Sequence, residues 1–255
     1  MPVRQNKVKQ LIKRNETILS SSVRLPEPGL CELLGYAGFD FVLIDCEHGA
    51  IGWGDIDRMT QGCFAGGTVP MVRVLHNDDA ETIMRVLDLG VQGILIPHCR
   101  TAEDARRLQQ AAWYAPDGTR GFGPGRGAEW GRLKGPDYFN AVNDSLFLFA
   151  LIEDPEGVDN VEEIAKTGLD CLWVGTGDLA MAYGVPGQRD HRKVREAAGK
   201  ILDACKRHGV VAGYPAADAE DAKWARKEGF RAIGYGGAES YVMKSSRDFL
   251  SELGR

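Results

Sequence analysis

The chain has 255 residues, of which 44% are apolar and 26% are charged, the balance of an ordinary soluble globular protein. Its formal net charge of -5 argues against a nucleic-acid-binding protein, because binding to phosphates requires a basic face. No run of about 18 consecutive apolar residues occurs, so we expect no membrane-spanning helix.

The first fourteen residues, MPVRQNKVKQLIKR, are basic and contain no acidic residue. They lack the apolar core of a secretory signal and the serine content of a transit peptide. We interpret them as an amphipathic helix with Val8, Leu11 and Ile12 on one face. The six cysteines form no C-x-x-C pair and lie mostly in apolar surroundings, so we expect reduced thiols and a cytoplasmic protein.

Short apolar runs alternate with segments of helical periodicity along the whole chain. The runs predicted as strands are 17–24, 41–45, 69–74, 93–97, 147–153, 171–175, 210–214 and 231–235. Helical spacing lies between them, for example at 78–89, 101–114, 191–208 and 218–228. Thr101 followed by Asp104 is a plausible helix start.

The predicted strands are almost continuously apolar, which is typical of parallel sheets covered on both faces. Eight β-then-α units in about 250 residues match a (β/α)₈ TIM barrel, an α/β fold that we assign to a single domain over residues 1–255. A doubly wound open sheet is the alternative, but the first strand is followed by LPEPG rather than by a dinucleotide-binding glycine turn. Residues 115–146 are long for a connection. If RGFG within them were a strand, one of the eight would be misassigned.

In a TIM barrel the reactive groups lie at the C-terminal ends of the strands. Polar side chains stand at the ends of the predicted strands or just beyond them: Asp45, Glu47, His48, Arg73, Glu153 and Asp178. Glu153 and Asp178 come from neighbouring strands, and their hard oxygen ligands suit Mg²⁺ or Mn²⁺. The pattern therefore indicates a site for a divalent ion at the mouth of the barrel.

His48 lies three residues after Asp45, and we expect the carboxylate of Asp45 to fix the tautomer of His48 and to raise its basicity. Glu47 is interpreted mainly as a loop acid that supports the site. Cys46 and His48 form only a weak C-x-H metal signal, whereas His98 directly follows a strand. No lysine lies on a predicted strand, so a Schiff-base aldolase is disfavoured and carbonyl chemistry would need a metal as Lewis acid.

The glycine-rich stretch GFGPGRG contains neither the P-loop lysine nor the G-x-G-x-x-G spacing. We interpret it as a flexible rim that carries arginine for an anionic substrate. A plain surface loop is the alternative.

In six segments taken in order, the chain resembles the HpcH/HpaI family of class II, metal-dependent pyruvate aldolases, within the phosphoenolpyruvate/pyruvate TIM-barrel superfamily. The segments are FDFVLIDCEHG, VPMVRV, LGVQGILIP, RGFG, LIEDPEGVDNVEEI and LDCLWVGTGDLAMAYGVPG. The resemblance implies a TIM barrel whose C-terminal helix, near 239–252, is exchanged between subunits. It also implies a homohexamer built as a trimer of dimers.

The resemblance further implies roles for individual residues. Glu153 and Asp178 would be the metal ligands, with Mg²⁺ the expected ion and Mn²⁺ or Co²⁺ the alternatives. Arg73 would contact the keto oxygen of the substrate, His48 would be the general base, and Asp45 would orient His48.

Substrate binding is also implied by the resemblance. Arg73, Gly177 and Asp178 would bind the substrate, with backbone amides at Gly177 and Asp178 holding its carboxylate. Phe122 and Pro124 match pocket-lining residues of macrophomate synthase.

The chain departs from the family pattern at three places. Leu151 stands where many members have a glutamine that contacts pyruvate. GTGD, with Thr176 and Gly177, replaces the common GPAD, and Cys46 replaces a frequent glycine. These departures leave the metal and base positions intact and bear on the substrate.

The implied reaction is the reversible cleavage of a 4-hydroxy-2-oxo acid to pyruvate, or hydroxypyruvate, and an aldehyde, through an enolate stabilised by the divalent ion. One alternative is an oxaloacetate decarboxylase or a macrophomate-synthase-like lyase that uses the same enolate chemistry. Another is a non-catalytic barrel that binds a 2-oxo acid. The expected partners are small molecules and further copies of the chain, and neither nucleic acid nor a membrane.

Overall fold

The structure, a computed structural model, describes residues 3–255, so Met1 and Pro2 lie outside the described residues. Within this range eight parallel strands pair each with the next, and the last pairs with the first, so that the sheet closes into a barrel. The strands are β1 (Ile18–Val23), β2 (Phe41–Asp45), β3 (Val69–Arg73), β4 (Gly93–Ile96), β5 (Phe147–Ile152), β6 (Cys171–Val174), β7 (Val211–Ala216) and β8 (Ala232–Gly237).

Helices separate the strands and surround the barrel. They are α1 (Lys7–Lys13), α2 (Pro28–Tyr36), α3 (Trp53–Ala65), α4 (Ala80–Asp88), α5 (Ala102–Ala112), α6 (Pro136–Ser145), α7 (Pro155–Asp159), α8 (Val161–Ala165), α9 (Thr176–Ala182), α10 (Arg192–His208), α11 (Ala219–Glu228) and α12 (Ala238–Glu252). None of the helices between residues 3 and 255 has the length and apolar character needed to cross a membrane. The predicted (β/α)₈ TIM barrel is confirmed, and the open-sheet alternative is wrong.

Helix boundaries follow the local capping chemistry of the sequence. At the start of α5 the hydroxyl of Thr101 accepts the N–H of Asp104 at 3.3 Å, and the Asp104 carboxylate accepts the N–H of Thr101 at 2.8 Å. This reciprocal arrangement confirms the predicted helix start. At the other end of a helix, α10 stops at Gly209, whose φ of +70° is a left-handed conformation that glycine adopts without strain.

The interior of the barrel is filled by aromatic side chains. The ring centroid of Phe41 lies 6.1 Å from that of Phe149 and 6.2 Å from that of Trp173, and both contacts are edge-to-face. Val8 and Leu11 of α1 belong to the same buried cluster, and Ile12 packs against it, as the amphipathic pattern predicts. Since α1 packs against this cluster near the start of β1, the opposite, C-terminal end of the barrel is left for a cavity.

The long connection 115–146 holds a short 3-10 helix (Arg126–Gly131) and α6, and RGFG at 120–123 is not a strand. None of the eight predicted strands is therefore misassigned. Because the connection leads into β5, it lies at the N-terminal ends of the strands.

The glycine-rich stretch packs tightly at that end and does not form a rim of the mouth. A Cβ on Gly125 would lie 2.6 Å from the backbone oxygen of Asp88, the last residue of α4, so only glycine fits there. Arg120 donates to Asp88 at 2.8 Å and Arg126 donates to Asp57 at 2.6 Å. Around the mouth of its own chain the stretch does not form the predicted flexible, substrate-binding rim, because it precedes a strand instead of following one.

Candidate active site

A cavity of about 690 Å³ opens at the C-terminal ends of the strands. Leu43, Leu95, Leu151 and Trp173 form part of its apolar lining. The predicted site residues that line it are Asp45, His48, Arg73, Glu153, Gly177 and Asp178. The structure thus brings these six residues to one mouth, although they come from four separate strand ends.

Asp45 and Arg73 are the last residues of the neighbouring strands β2 and β3 and face each other in register. Arg73 donates two parallel hydrogen bonds to the carboxylate of Asp45, Nε to Oδ1 at 2.9 Å and Nη2 to Oδ2 at 2.6 Å. Arg24 donates a third, from Nε to Oδ2 at 3.0 Å. Burial alone would raise the pKa of Asp45, but Arg73, the N–H of His48 and Arg24 hold that pKa below its ordinary value. Asp45 is therefore an ionised carboxylate that fixes the orientation of Arg73.

His48 meets Asp45 through its backbone. Its N–H donates to Oδ1 of Asp45 at 3.3 Å, and within residues 3–255 no hydrogen bond joins the Asp45 carboxylate to the imidazole. This differs from the predicted contact, because both Asp45 oxygens already accept from arginine. The ring is 60% exposed and faces Glu47, whose Oε2 lies 3.8 Å from Nε2.

Glu153 and Asp178 are brought together from the ends of β5 and β6. Glu153 is only 2% exposed, and its pKa is raised to about 8. Burial is the largest cause, the N–H of His98 at 2.9 Å from Oε1 opposes it, and the neighbouring Asp178 and Glu47 carboxylates also raise the pKa. Gly175 lets the backbone after β6 lie against the side chain of Glu153, since a Cβ on residue 175 would lie 2.2 Å from Cβ of Glu153. Neighbouring carboxylates of this kind are stabilised by a shared proton or by a cation.

A cluster of three side chains that includes Glu153, but not Asp178, forms a possible cation site. Glu47, His98 and Glu153 offer ligand atoms that all lie within 4.8 Å of one another. Oε2 of Glu47 is buried and accepts no hydrogen bond of good geometry, although Nη1 of Arg73 lies 2.7 Å away and compensates its charge. Because carboxylate oxygens dominate this set and one of them lacks a well-oriented donor, the residues fit a hard divalent cation.

The positions of Glu47 and His98 beside Glu153 were not predicted. β4 pairs with β5, so His98 after β4 lies next to Glu153 after β5, and that adjacency was available from the strand order. His98 has a left-handed φ of +48°, and its Nδ1 lies 3.0 Å from Oδ2 of Asp154. These contacts hold the imidazole beside Glu153, with Nδ1 3.5 Å from Oε1. Arg24, one residue after β1, was overlooked in the same way.

Phe122 and Pro124 do not line the cavity of their own chain. The ring of Phe122 packs on Phe139 and Tyr138, with centroids 5.3 Å and 6.3 Å away, and Pro124 lies beside Gly131. These residues belong to the connection that leads into β5, at the end of the barrel opposite the mouth. Their predicted contact with substrate is therefore wrong within a single chain.

The sequence profile of the HpcH/HpaI aldolase/citrate lyase family matches residues 23–243. The chain belongs to this family. A hydroxypyruvate/pyruvate aldolase of Paraburkholderia phytofirmans is 32% identical to it over 256 residues, which cover 97% of each protein. A crystal structure of an HpcH/HpaI aldolase/citrate lyase family protein from Burkholderia cenocepacia superposes with a TM-score of 0.92 at 30% identity, covering 98% of this chain and 100% of the other. The crystal structure of macrophomate synthase gives a TM-score of 0.82 at 25% identity, covering 96% and 89%.

Membership of the HpcH/HpaI family confirms the resemblance drawn from the six sequence segments. It makes the chain an enzyme of the aldolase and lyase class, and it disfavours a non-catalytic barrel. The family is metal-dependent, which agrees with the carboxylate-rich site at the mouth.

Proposed function

We propose that the chain is a metal-dependent aldolase that reversibly cleaves a 4-hydroxy-2-oxo acid to pyruvate, or hydroxypyruvate, and an aldehyde. The observation that supports this most directly is the pairing of the buried Glu153 with Asp178 beside Arg73, at the mouth of a barrel of this family. A buried acid pair next to a rigid guanidinium suits a reaction in which negative charge develops on a carbonyl oxygen.

Glu153 and Asp178 are the proposed metal ligands, with Glu47 and His98 close enough to bind the ion directly or through water. A divalent cation bound there supplies Lewis-acid stabilisation of the charge that develops on the 2-oxo oxygen. We propose Mg²⁺, because carboxylate oxygens dominate the site, with Mn²⁺ and Co²⁺ as ions that also accept an imidazole.

The remaining steps are assigned to side chains and backbone of this chain. Backbone amides at Gly177 and Asp178 hold the substrate carboxylate, and Arg73, held rigid by Asp45, donates to the 2-oxo oxygen. His48 accepts the proton of the C4 hydroxyl. The C3–C4 bond then breaks, C4 leaves as an aldehyde, and the electron pair stays with the three-carbon fragment until C3 is protonated. General acid–base catalysis of this kind typically accelerates a reaction by about 10²–10⁴-fold.

Removal of divalent ions should abolish turnover, because the acid pair cannot polarise the substrate alone. The measurement is cleavage of a 4-hydroxy-2-oxo acid after dialysis against EDTA, followed by addition of Mg²⁺, Mn²⁺ or Co²⁺ in turn. Circular dichroism of the dialysed enzyme controls for loss of fold. Full activity in excess EDTA would exclude the metal role.

A decarboxylase that acts on oxaloacetate is the second candidate, supported by the structural likeness to macrophomate synthase and by Leu151 in the cavity lining. Decarboxylation breaks a bond to a carboxylate, and no hydroxyl proton has to be removed. The two candidates therefore differ in their need for a general base.

His48→Ala should separate the two reactions. We expect aldol cleavage to slow by about 10²–10⁴-fold, the usual contribution of a general base, while oxaloacetate decarboxylation stays nearly unchanged. Steady-state rates for both substrates test this, with His76→Ala, another exposed histidine, as the matched control. Equal loss of both activities would show that His48 is not the base for the hydroxyl proton.

We also propose a homohexamer, a trimer of dimers that exchange α12. Only Ala238 of this helix is buried, whereas Val242, Met243, Phe249 and Leu250 are 40–62% exposed. An apolar helix face of this kind is suited to packing on another copy of the chain. In such an assembly Phe122 and Pro124 would contact the mouth of a neighbouring chain instead of their own.

The remaining proposals concern the chain as a whole. We propose a single domain and a cytoplasmic location. The location is supported by the cysteines, all six of which are free thiols, with only Cys46 not fully buried.

A further inference from the structure

The first turn of α12 contacts the loop that follows β1. Because β8 pairs with β1, Gly237, which ends β8 and precedes the helix, lies beside Ser22. Oε1 of Glu239 accepts the backbone N–H groups of Arg24 and Leu25, at 2.6 Å and 3.0 Å. Hydrogen bonds to a carboxylate are stronger than those between neutral groups, so Glu239 fixes the backbone of Arg24.

Arg24 extends this contact to the buried ion pair of the candidate active site. Its Nε donates to Oδ2 of Asp45 at 3.0 Å, and the same oxygen accepts from Nη2 of Arg73 at 2.6 Å. The side chain of Arg24 is 44% exposed, and an arginine this exposed ordinarily gains little from an ion pair, because ordering its side chain costs entropy. An anchored backbone lowers that cost. The contact with Glu239 therefore helps to keep Arg24 on Asp45.

The second oxygen of Glu239 lies close to the guanidinium of Arg24. Oε2 of Glu239 is buried, and within residues 3–255 it accepts no hydrogen bond. This oxygen and Nη1 of Arg24 lie 3.1 Å and 3.3 Å from the point that a Cβ on Gly237 would occupy, so both side chains crowd the space that glycine leaves open. A buried oxygen without a donor is costly. Attraction between this negative charge and the guanidinium offsets the cost.

The position of Arg24 bears on the charge of Arg73. Both arginines pair with Asp45, whose side chain is 1% exposed. With Arg24 present, the negative charge of Asp45 is divided between two guanidinium groups, so Arg73 keeps more of its positive charge for the oxygen of the substrate. Positive charge fixed beside a developing oxyanion has a large effect on the rate, because water is largely excluded there.

We propose that Glu239 is a positioning residue of the active site: it holds Arg24 on Asp45 and so strengthens the stabilisation of the transition state by Arg73. Glu239 does not line the cavity at the mouth, so it acts through Arg24. This inference rests on the proposed function and adds to it a residue from outside the cavity.

Glu239→Ala and Arg24→Ala should each lower kcat for cleavage of a 4-hydroxy-2-oxo acid by about tenfold with KM nearly unchanged, the size of one charge-assisted contact that matters in the transition state. The double variant should be no slower than Arg24→Ala, because Glu239 acts only through Arg24. Glu239→Gln, which keeps an acceptor oxygen but not the charge, should retain part of the rate. Steady-state kinetics of the four variants measure these effects.

Tyr241→Phe is the matched control. The hydroxyl of Tyr241 shares a hydrogen bond of 2.8 Å with Oγ of Ser21 and donates to the backbone oxygen of Tyr235 at 2.6 Å, so its loss loosens the same turn of α12 without removing a contact of Arg24. Its kcat should stay near that of wild type. Amide hydrogen exchange over residues 22–27, measured without substrate, should become faster in Glu239→Ala because two N–H groups lose their acceptor.

Four results would overturn the assignment of Glu239 alone: wild-type kcat in Glu239→Ala, losses that multiply in the double variant, unchanged amide exchange, and an equal loss of kcat in Tyr241→Phe. The last would make Glu239 a structural cap of α12 only. If wild type cleaves no 4-hydroxy-2-oxo acid and exchanges no C3 proton of pyruvate in D₂O, the proposed function fails, and this inference fails with it.

Discussion

Glu153→Gln should weaken binding of Mn²⁺ by more than about 100-fold and remove nearly all aldol cleavage. Even the loss of a residue that only hydrogen-bonds to a metal ligand lowers metal affinity or activity by about 10–100-fold, and Glu153 is itself a proposed ligand. Glutamine keeps the shape of the side chain and loses the charge that a cation requires. Isothermal titration with Mn²⁺ and steady-state cleavage rates measure the two effects. Glu156→Gln, an exposed acid at the start of α7, is the matched control.

The same substitution should leave the metal-free protein at least as stable as wild type. The pKa of Glu153 is raised to about 8, chiefly by burial, so the folded state holds a proton that the unfolded state releases at lower pH. This carboxyl therefore lowers stability as the pH rises from its ordinary pKa towards 8, and a neutral amide relieves that effect. Thermal unfolding in EDTA should show this, whereas added Mn²⁺ should stabilise wild type only. Unchanged Mn²⁺ affinity would assign the ion to Glu47 and His98 instead.

Arg73→Lys should lower kcat by roughly 10²–10³-fold while Mn²⁺ still binds, since loss of one well-placed donor to a developing oxyanion has that effect. The guanidinium contacts both oxygens of Asp45 and lies 2.7 Å from Glu47, and a single ammonium cannot reproduce that geometry. Wild-type kcat in this variant would contradict a role for Arg73 at the substrate oxygen.

Arg73→Lys should also make the protein more sensitive to acid. The lowered pKa of Asp45 gives stability that is present above the ordinary carboxyl pKa and is lost as the pH falls through the lowered value. Because lysine would lower the pKa of Asp45 less than arginine does, the loss of folding stability should begin at a higher pH in the variant. Unfolding curves at several pH values below 6 test this, with Arg24→Lys, a half-exposed single contact to the same carboxylate, as the milder comparison.

Local patterns in the chain were enough to predict most of the fold. Each of the eight predicted strands overlaps an observed one, and the Thr101–Asp104 pair marks the start of α5. These features depend on nearest neighbours in the chain: apolar runs, capping side chains and turn glycines. Placing Glu153 and Asp178 at one mouth then required only the rule that parallel strand ends converge.

The contacts within the site could not be predicted in the same way. Spacing along the chain favoured an Asp45–His48 side-chain pair, but the register of β2 and β3 places Arg73 opposite Asp45, and the stronger charge-assisted bonds form there. The glycine-rich stretch near Phe122 carried the composition of a binding loop. Its place before β5 set it at the other end of the barrel.

The sequence by itself therefore determined the parallel barrel, its family and the identity of the acids at its mouth, because periodicity, capping and position after a strand are local properties. Only the tertiary structure decided which charges pair with one another and that Glu47 and His98 lie beside Glu153. The physical reason is that ion pairing and burial depend on distances of a few ångströms between residues far apart in the chain, and these distances exist only once the barrel has closed.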